Sequence, residues 1–486
     1  MTSSQNLPSR VELESVLEFY NSGNYSAAER RALSLTGLYP GAGHLWKLLW
    51  ASLEKQGKKS LSALTKAAEL LPKDADVHNN MGVSLKSLGR LDDALDCYQR
   101  AISIDNDYAE AHSNMGDLLD EMGRHSEAIV CCERAIQLKP QFAEAHSNLA
   151  KLYLKQRDAI KAKHHYQKAL NVSPTLISAQ QGMNKVLSKS VPRWHVPMMN
   201  EGSRNEAYFA ALKSAVTNGL DVLEIGTGSG LLAMMAAKAG AKRVTTCEVE
   251  PLLADTAKQI ITDNGYTGEI SVVQKRSLDL NLGEDLPEKA NILVSEIFSS
   301  ELLAEGVLQS IEDAKERLLK PGANIIPKVG SIMVGLFGGQ DIDRNLFVED
   351  SLGFDLQHFN SIVPRKQTVL RHDLNIEMQS DDFEAFRFEF EVEKEFPAEA
   401  KELQLTATKD GRCSGIIQWI RLELDDEIEY QNHPRDKSPV SNWQCCAYLF
   451  SQPIDLQAGQ TVIISASHNR STPWFTLMGV EPWTSE

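Results

Sequence analysis

Two glutamates nine positions apart, Glu296 and Glu305, lie in the run Ser295-Glu-Ile-Phe-Ser-Ser-Glu301-Leu-Leu-Ala-Glu305, directly after the apolar segment Asn291 to Ser295. Paired carboxylates at the end of a strand suit the gripping of a guanidinium. An arginine side chain is not deprotonated by ordinary bases, yet a nitrogen that accepts a methyl group needs a lone pair. Two carboxylates that clamp the guanidinium through charge-assisted bidentate hydrogen bonds hold its positive charge away from one nitrogen and aim that nitrogen at the methyl donor. The plainer alternative is that Glu296 caps a following helix while Glu301 and Glu305 form a solvated i, i+4 face.

Upstream, Asp221-Val-Leu-Glu224-Ile-Gly226-Thr-Gly228-Ser-Gly230 reads as a strand running into a glycine turn that opens a helix. Glycines are required there because the backbone must turn sharply and let a ligand approach closely. Glu248 ends the next apolar segment, Arg243 to Cys247, twenty residues beyond Gly228. At that place a carboxylate accepts hydrogen bonds from both hydroxyls of a ribose. After a third strand starting at Ile270 come Ser277 and Asp279, where an acid can accept from an adenine amine. The spacing G-x-G-x-G is one position off the dinucleotide pattern G-x-G-x-x-G. A pocket this rich in carboxylates favours a cationic nucleoside such as S-adenosylmethionine over a phosphate-bearing dinucleotide. The expected cofactor residues are therefore Glu224, Gly226, Gly228, Gly230, Glu248, Ser277 and Asp279, and the cofactor S-adenosyl-L-methionine.

The elements that must position these groups are strands alternating with helices from residue 191 to 325, expected as a Rossmann-like domain. Residues 326–486 carry short alternating segments, Phe383 to Val392, Leu403 to Thr406, Ile416 to Leu424 and Thr461 to Ala466, expected as a β-barrel substrate domain, with Trp443 either lining its mouth or serving as a core aromatic. Before residue 190 a different order holds. His78, His112 and His146 recur 34 apart, as do Ala94, Ala128 and Ala162, and Pro140 with Pro174. That period is the tetratricopeptide pattern. About five repeats fill residues 11 to 174, Leu176 to Leu187 reads as a capping helix, and residues 1–10 as a disordered N-terminus. The periodic histidines are read as structural or groove-lining, and the array as a concave surface for a peptide or partner helix.

Composition narrows the class. At 486 residues the chain exceeds what one core supports, about 250 to 300 residues. Hydrophobic residues at 42% and charged residues at 24% exclude fibrous and largely disordered chains. Fifty Lys and Arg against 66 Asp and Glu give a net charge of -16, which favours a basic protein or peptide partner over nucleic acid. The start has no basic, apolar leader and no run reaches the roughly 18 apolar residues of a membrane span. Seven cysteines without a Cys-x-x-Cys read as reduced thiols of a cytoplasmic or nuclear protein, with no metal.

From Val191 to Glu486 the chain resembles the protein arginine N-methyltransferases. The resemblance rests on VLEIGTGSGLLAMMAAKAG, on Glu248 and on SEIFSSELLAE, together with Trp194-His-Val-Pro-Met198-Met-Asn-Glu201-Gly-Ser-Arg204-Asn-Glu-Ala-Tyr208, which matches the family's cap helix. It implies that Arg204 holds the cofactor carboxylate, that Met198 shapes the arginine tunnel, and that Glu296 and Glu305 bind the guanidinium. It further implies a barrel carrying a dimerisation segment, and basic arginine-containing protein substrates, of RNA-binding, splicing or histone type. Within the family, Ala290 to Glu296 and Gly353 to Asn360 resemble the members numbered seven and nine, and the repeat array followed by VPRWH resembles number nine. Symmetric dimethylation or monomethylation alone is the implied product.

Three departures stand out. Glu224 replaces the usual Asp, and the Thr-His-Trp loop reads Ser441-Asn442-Trp443, so the histidine that would pair with Glu201 becomes an amide. The second methyltransferase module of members seven and nine does not follow, which makes a homodimer the expected substitute. The alternative reading is a weakly active or inactive methyltransferase-like scaffold whose repeats bind protein partners.

Overall fold

A computed structural model describes residues 7–217, 219–369, 376–436 and 443–482, and the chain divides after Lys189 into two compact units. The first is a succession of antiparallel helix pairs: Arg10–Asn21 with Tyr25–Leu38, Gly43–Glu54 with Leu61–Leu70, Ala75–Ser87 with Leu91–Ile104, Ala109–Glu121 with His125–Leu138, and Ala143–Lys155 with Ala159–Val172, closed by Ile177–Ser190. The expectation of disorder over 1–10 lies outside the described residues for 1–6. Its last part is ordered instead, because Ser9 and Glu12 form a reciprocal capping box that starts the first helix.

Two repeating contacts explain the 34-residue period. Within pairs, a small residue lets helices touch: a methyl group on Gly82 would come within 2.6 Å of the Tyr98 ring, and one on Gly116 within 2.6 Å of Cys132 Sγ. Between pairs, one polar ring per repeat reaches back six residues to a turn carbonyl. Trp46 does so to Pro40 at 3.0 Å, His78 to Pro72 at 3.3 Å, His112 to Asn106 at 3.0 Å and His146 to Pro140 at 3.1 Å. Gln180 repeats the bond to Pro174 at 2.8 Å. The periodic histidines are thus structural: each satisfies a carbonyl where one repeat hands over to the next. Among the described residues no cluster of three or more His, Cys, Asp or Glu could hold a metal.

The second unit begins with α1 (His195–Met199) and α2 (Gly202–Ala215), followed by β1 (Asp221–Ile225), α3 (Leu231–Lys238), β2 (Arg243–Cys247), α4 (Pro251–Asp263), β3 (Ile270–Val273), β4 (Ala290–Ser295), α5 (Val307–Asp313) and β5 (Leu319–Ile326). Its sheet has the order β3-β2-β1-β4-β5, with parallel pairings throughout. β1 is buried along its whole length, as parallel strands covered on both faces must be. The strand order reverses between β1 and β4, where Ile225 stands opposite Ser295. Glu224, Gly226 and Glu296 therefore all lie at the carboxyl edge beside the switch point, where open α/β sheets bind their ligands.

The expected β-barrel takes the form of two antiparallel sheets. The larger is built around the fully buried β6 (Val329–Gly338) and includes β7 (Lys366–Val369), β8 (Phe383–Glu389), β10 (Gly411–Glu423), β11 (Glu429–Gln431) and β12 (Cys445–Leu456). The smaller pairs β9 (Glu399–Thr406), β13 (Thr461–His468) and β14 (Pro473–Val480). Phe386, Phe388, Phe390 and Phe396 join one continuous core with β1, β4 and the loop after β4, so the β-rich half and the α/β half of this unit share a hydrophobic interior.

Candidate functional site

The glycine turn is built by the backbone. Gly226, Gly228 and Gly230 all have positive φ, at 92°, 51° and 81°. A methyl group on Gly226 would come within 2.5 Å of Ile297 Cγ2, the residue after Glu296, whereas around Gly228 the space is open. Glu248 stiffens the turn: one oxygen accepts from Gly228 N–H at 3.0 Å and the other from Glu250 N–H at 3.0 Å. A carboxylate has about four lone-pair sites, so capacity for ribose hydroxyls remains.

Glu224, 1% exposed, lies beneath the turn with neither oxygen in hydrogen-bond geometry. Burial pushes its carboxyl up to about 8, and the charges of Glu248 and Glu296 add to that; the Thr246 hydroxyl and the Ala233 amide lie close enough to draw it partly back. Glu296 follows β4 directly. Burial again pushes it up, to about 7, Arg204 draws it down, and Glu201 and Glu305 raise it. Its Oε2 lies 3.1 Å from Nη1 of Arg204, with both side chains almost wholly buried. Arg204 sits on α2, held by Asn205 Oδ1 at 2.7 Å from Nη2, its guanidinium 6.0 Å from the Tyr208 ring centroid. Tyr208 in turn donates to the Ser295 carbonyl at the end of β4 at 3.2 Å.

Glu305 occupies a left-handed turn with φ 65°, as do Leu302 at 71° and Gly306 at 73°. The loop holding the two glutamates is therefore not a helix, and the i, i+4 face of Glu301 and Glu305 does not form. Glu301 pairs with Lys366 Nζ at 2.6 Å instead. Glu305 is exposed to solvent, yet the surrounding protein and the charge of Glu248 raise its carboxyl above the ordinary value. Five carboxylates, Glu201, Glu224, Glu248, Glu296 and Glu305, thus influence one another around Arg204. Glu224, Glu296 and Glu305 are all raised by this crowding, and nearby positive charge favours their anionic forms.

Trp443, expected at a substrate mouth or in the core, is 3% exposed. Its indole N–H donates to the Phe298 carbonyl at 2.8 Å, and Gln444 N–H to Ser300 Oγ at 3.0 Å, so it anchors the loop rather than lining an opening. Its neighbours Ser441 and Asn442 lie outside the described residues. Met198 is half-buried on α1, its carbonyl accepting from Glu201 N–H at 3.2 Å. Ser277 is buried with its hydroxyl 3.4 Å from that of Ser310 on α5, engaged within the fold, while Asp279 is exposed on the turn after β3. Sequence reasoning missed Tyr430, whose hydroxyl donates to the Glu201 carboxylate. It also missed Tyr208, for which its position one helical turn after Arg204 was an available signal.

The ribosomal protein L11 methyltransferase (PrmA) family matches residues 207–332, and tetratricopeptide families match residues 84–123, 109–142 and 143–176. An "Arginine N(omega)-methyltransferase" of Streptomyces achromogenes subsp. streptozoticus is 35% identical over 286 residues, 58% of this chain and 77% of that protein. "Protein arginine N-methyltransferase 7" of Drosophila persimilis is 30% identical over 326 residues, and its counterpart in Rattus norvegicus 27% over 329. These matches cover 58% and 59% of this chain, but 47% and 46% of those proteins, so the chain spans about half the length of the numbered relatives. The fold is shared with the Trypanosoma brucei "PRMT1 enzyme-prozyme heterotetrameric complex with AdoHcy", at TM-score 0.50 and 22% identity, covering 58% of this chain and 92% of that one.

Proposed function

The chain belongs to the arginine methyltransferase family, and from that premise we propose that it transfers methyl groups from S-adenosylmethionine to a guanidinium nitrogen of arginine in protein substrates. The observation that carries the reading is Glu296 at the sheet edge beside the glycine turn, 3.1 Å from the Arg204 guanidinium and within the influence of Glu305.

The residues fit the cofactor. Glu224 has two orphaned buried oxygens, Glu248 keeps spare acceptor capacity, and the open space at Gly228 admits a close ligand. Arg204, Glu224, Gly226, Gly228, Gly230 and Glu248 would hold it, with Asp279 and Ser277 at the adenine end. The bound cofactor supplies an electrophilic methyl on a cationic sulfur. The protein's own part is positioning. Glu296 and Glu305 accept from the guanidinium, fix its plane and draw its positive charge toward the clamped nitrogens, leaving the remaining nitrogen nucleophilic. A charged arginine entering the clamp lowers the proton affinity of Glu296, so the proton it holds near neutrality leaves as substrate binds.

The product is read as symmetric dimethylarginine, with monomethylarginine as the alternative. The repeat array recruits the substrate protein, with which the chain's net negative charge is complementary. A homodimer is read from the segment after Asp350, where Leu352, Phe354, Phe359 and Ile362 are 95%, 70%, 58% and 71% exposed. The second reading, a scaffold with a silent module, is motivated by Asn442 in place of histidine. Titration calorimetry separates them. Binding of S-adenosylhomocysteine at micromolar or lower Kd, with methylarginine detected by mass spectrometry after incubation with a cell extract, supports the enzyme. No heat of binding and no methylarginine refute it.

A further inference from the structure

The hairpin of β10 and β11 brings one aromatic side chain from the β-rich half of the second unit onto the acid of the α2 start. Asp425 shapes the turn by accepting from Glu427 N–H at 2.8 Å and Ile428 N–H at 2.7 Å, which sets the short return strand. Tyr430 on that strand is 8% exposed and lies 5.3 Å, centroid to centroid, from the Trp443 ring. Asn432 locks the strand end in place, accepting from Ile420 N–H at 2.8 Å and donating to the Trp443 carbonyl at 3.0 Å.

Glu201 is 3% exposed at the N-cap position of α2, yet its carboxylate makes no cap to that helix. It receives the Tyr430 hydroxyl instead, one turn before Arg204. The chain of contacts closes on itself: Tyr430 holds Glu201 at the start of α2, α2 carries Arg204 onto Glu296, and Trp443 pins the backbone two residues beyond Glu296. A buried carboxylate facing Glu296 is tolerated when a donor satisfies it. The tyrosine does so without adding a positive charge that would compete with a cationic substrate.

We propose that Tyr430 is a positioning residue for methyl transfer, orienting Glu201 through its hydroxyl so that Arg204 and Glu296 are held for the acceptor arginine. The inference rests on the function proposed above. Among the described residues, Arg204, Tyr208, Glu224, Glu305 and Tyr430 face Glu201 or Glu296.

The test uses the full-length chain. Y430F keeps the ring against Trp443 and removes the hydroxyl. It is expected to lower kcat about tenfold to a hundredfold, with a smaller loss of S-adenosylhomocysteine affinity through Arg204. In an E201Q background, Y430F should cost little more, because the hydroxyl acts through that carboxylate. Wild-type kcat in Y430F, or losses from Y430F and E201Q that simply multiply, would overturn the assignment. If Y430F does not fold, Y430H, which restores a donor from the same strand, carries the test. Retention of more than about a tenth of wild-type kcat supports the proposal, and loss to the level of E201Q overturns it. A wild-type chain that methylates no arginine refutes the function and this assignment with it, whereas an active wild type with an indifferent Y430F refutes the assignment alone.

Discussion

At the scale of single residues, the site is governed by carboxylates that burial makes reluctant to ionise. Glu224 is the clearest case, since its acidity shifts from the ordinary 4.5 up to about 8. Between those two values the folded chain keeps a proton that the unfolded chain has released, so stability falls as pH rises through the window. E224Q should flatten that fall between about pH 5 and pH 8, read as melting temperature against pH. An unaltered slope would remove Glu224 as its source. Residue roles divide sharply by how far they could be read from the chain. The spacing of Glu296, Glu305 and Glu248 after apolar segments carried their placement, because parallel strands end on one edge. Tyr430 carried no such signal, since it meets Glu201 only through a three-residue strand far along the chain. For Trp443 the sequence left mouth and core open, because an aromatic before a strand looks alike in both, and burial selects the core.

At the scale of elements, the glycine turn and the glutamate loop are two halves of one packed joint. Ile297, between Glu296 and Phe298, fills the space that a side chain at position 226 would need. G226A therefore combines a positive φ with a clash, and should cost about 2 to 4 kcal/mol of stability by denaturant unfolding. It should also weaken S-adenosylhomocysteine binding, because the turn cannot keep its shape. A variant as stable and tight-binding as wild type would show that the joint tolerates movement. The repeat array was legible almost entirely, since one small residue and one back-reaching ring recur in each unit. The β-rich half was legible as strands but not as sheets. The pairing of β6 with β8 and β10 joins segments 40 residues or more apart, and alternation alone does not select partners.

At the scale of the whole molecule, the net charge of -16 and the repeat array point to the same kind of partner. Attraction between a negative surface and a basic substrate is screened over about 8 Å at physiological salt. KM for a basic arginine-containing protein should therefore rise several-fold between about 50 and 300 mM salt while kcat stays nearly constant. A KM indifferent to salt would assign recruitment to apolar contacts. In the proposed mechanism two glutamates at the sheet edge position an arginine for methyl transfer. Its most direct measurement is transfer of labelled methyl groups from S-adenosylmethionine to an arginine-rich protein by the wild-type chain and by an E296Q/E305Q variant. The variant should remain folded and still bind S-adenosylhomocysteine, yet lose at least about a thousandfold in rate. Undiminished transfer to arginine by that variant would contradict the account.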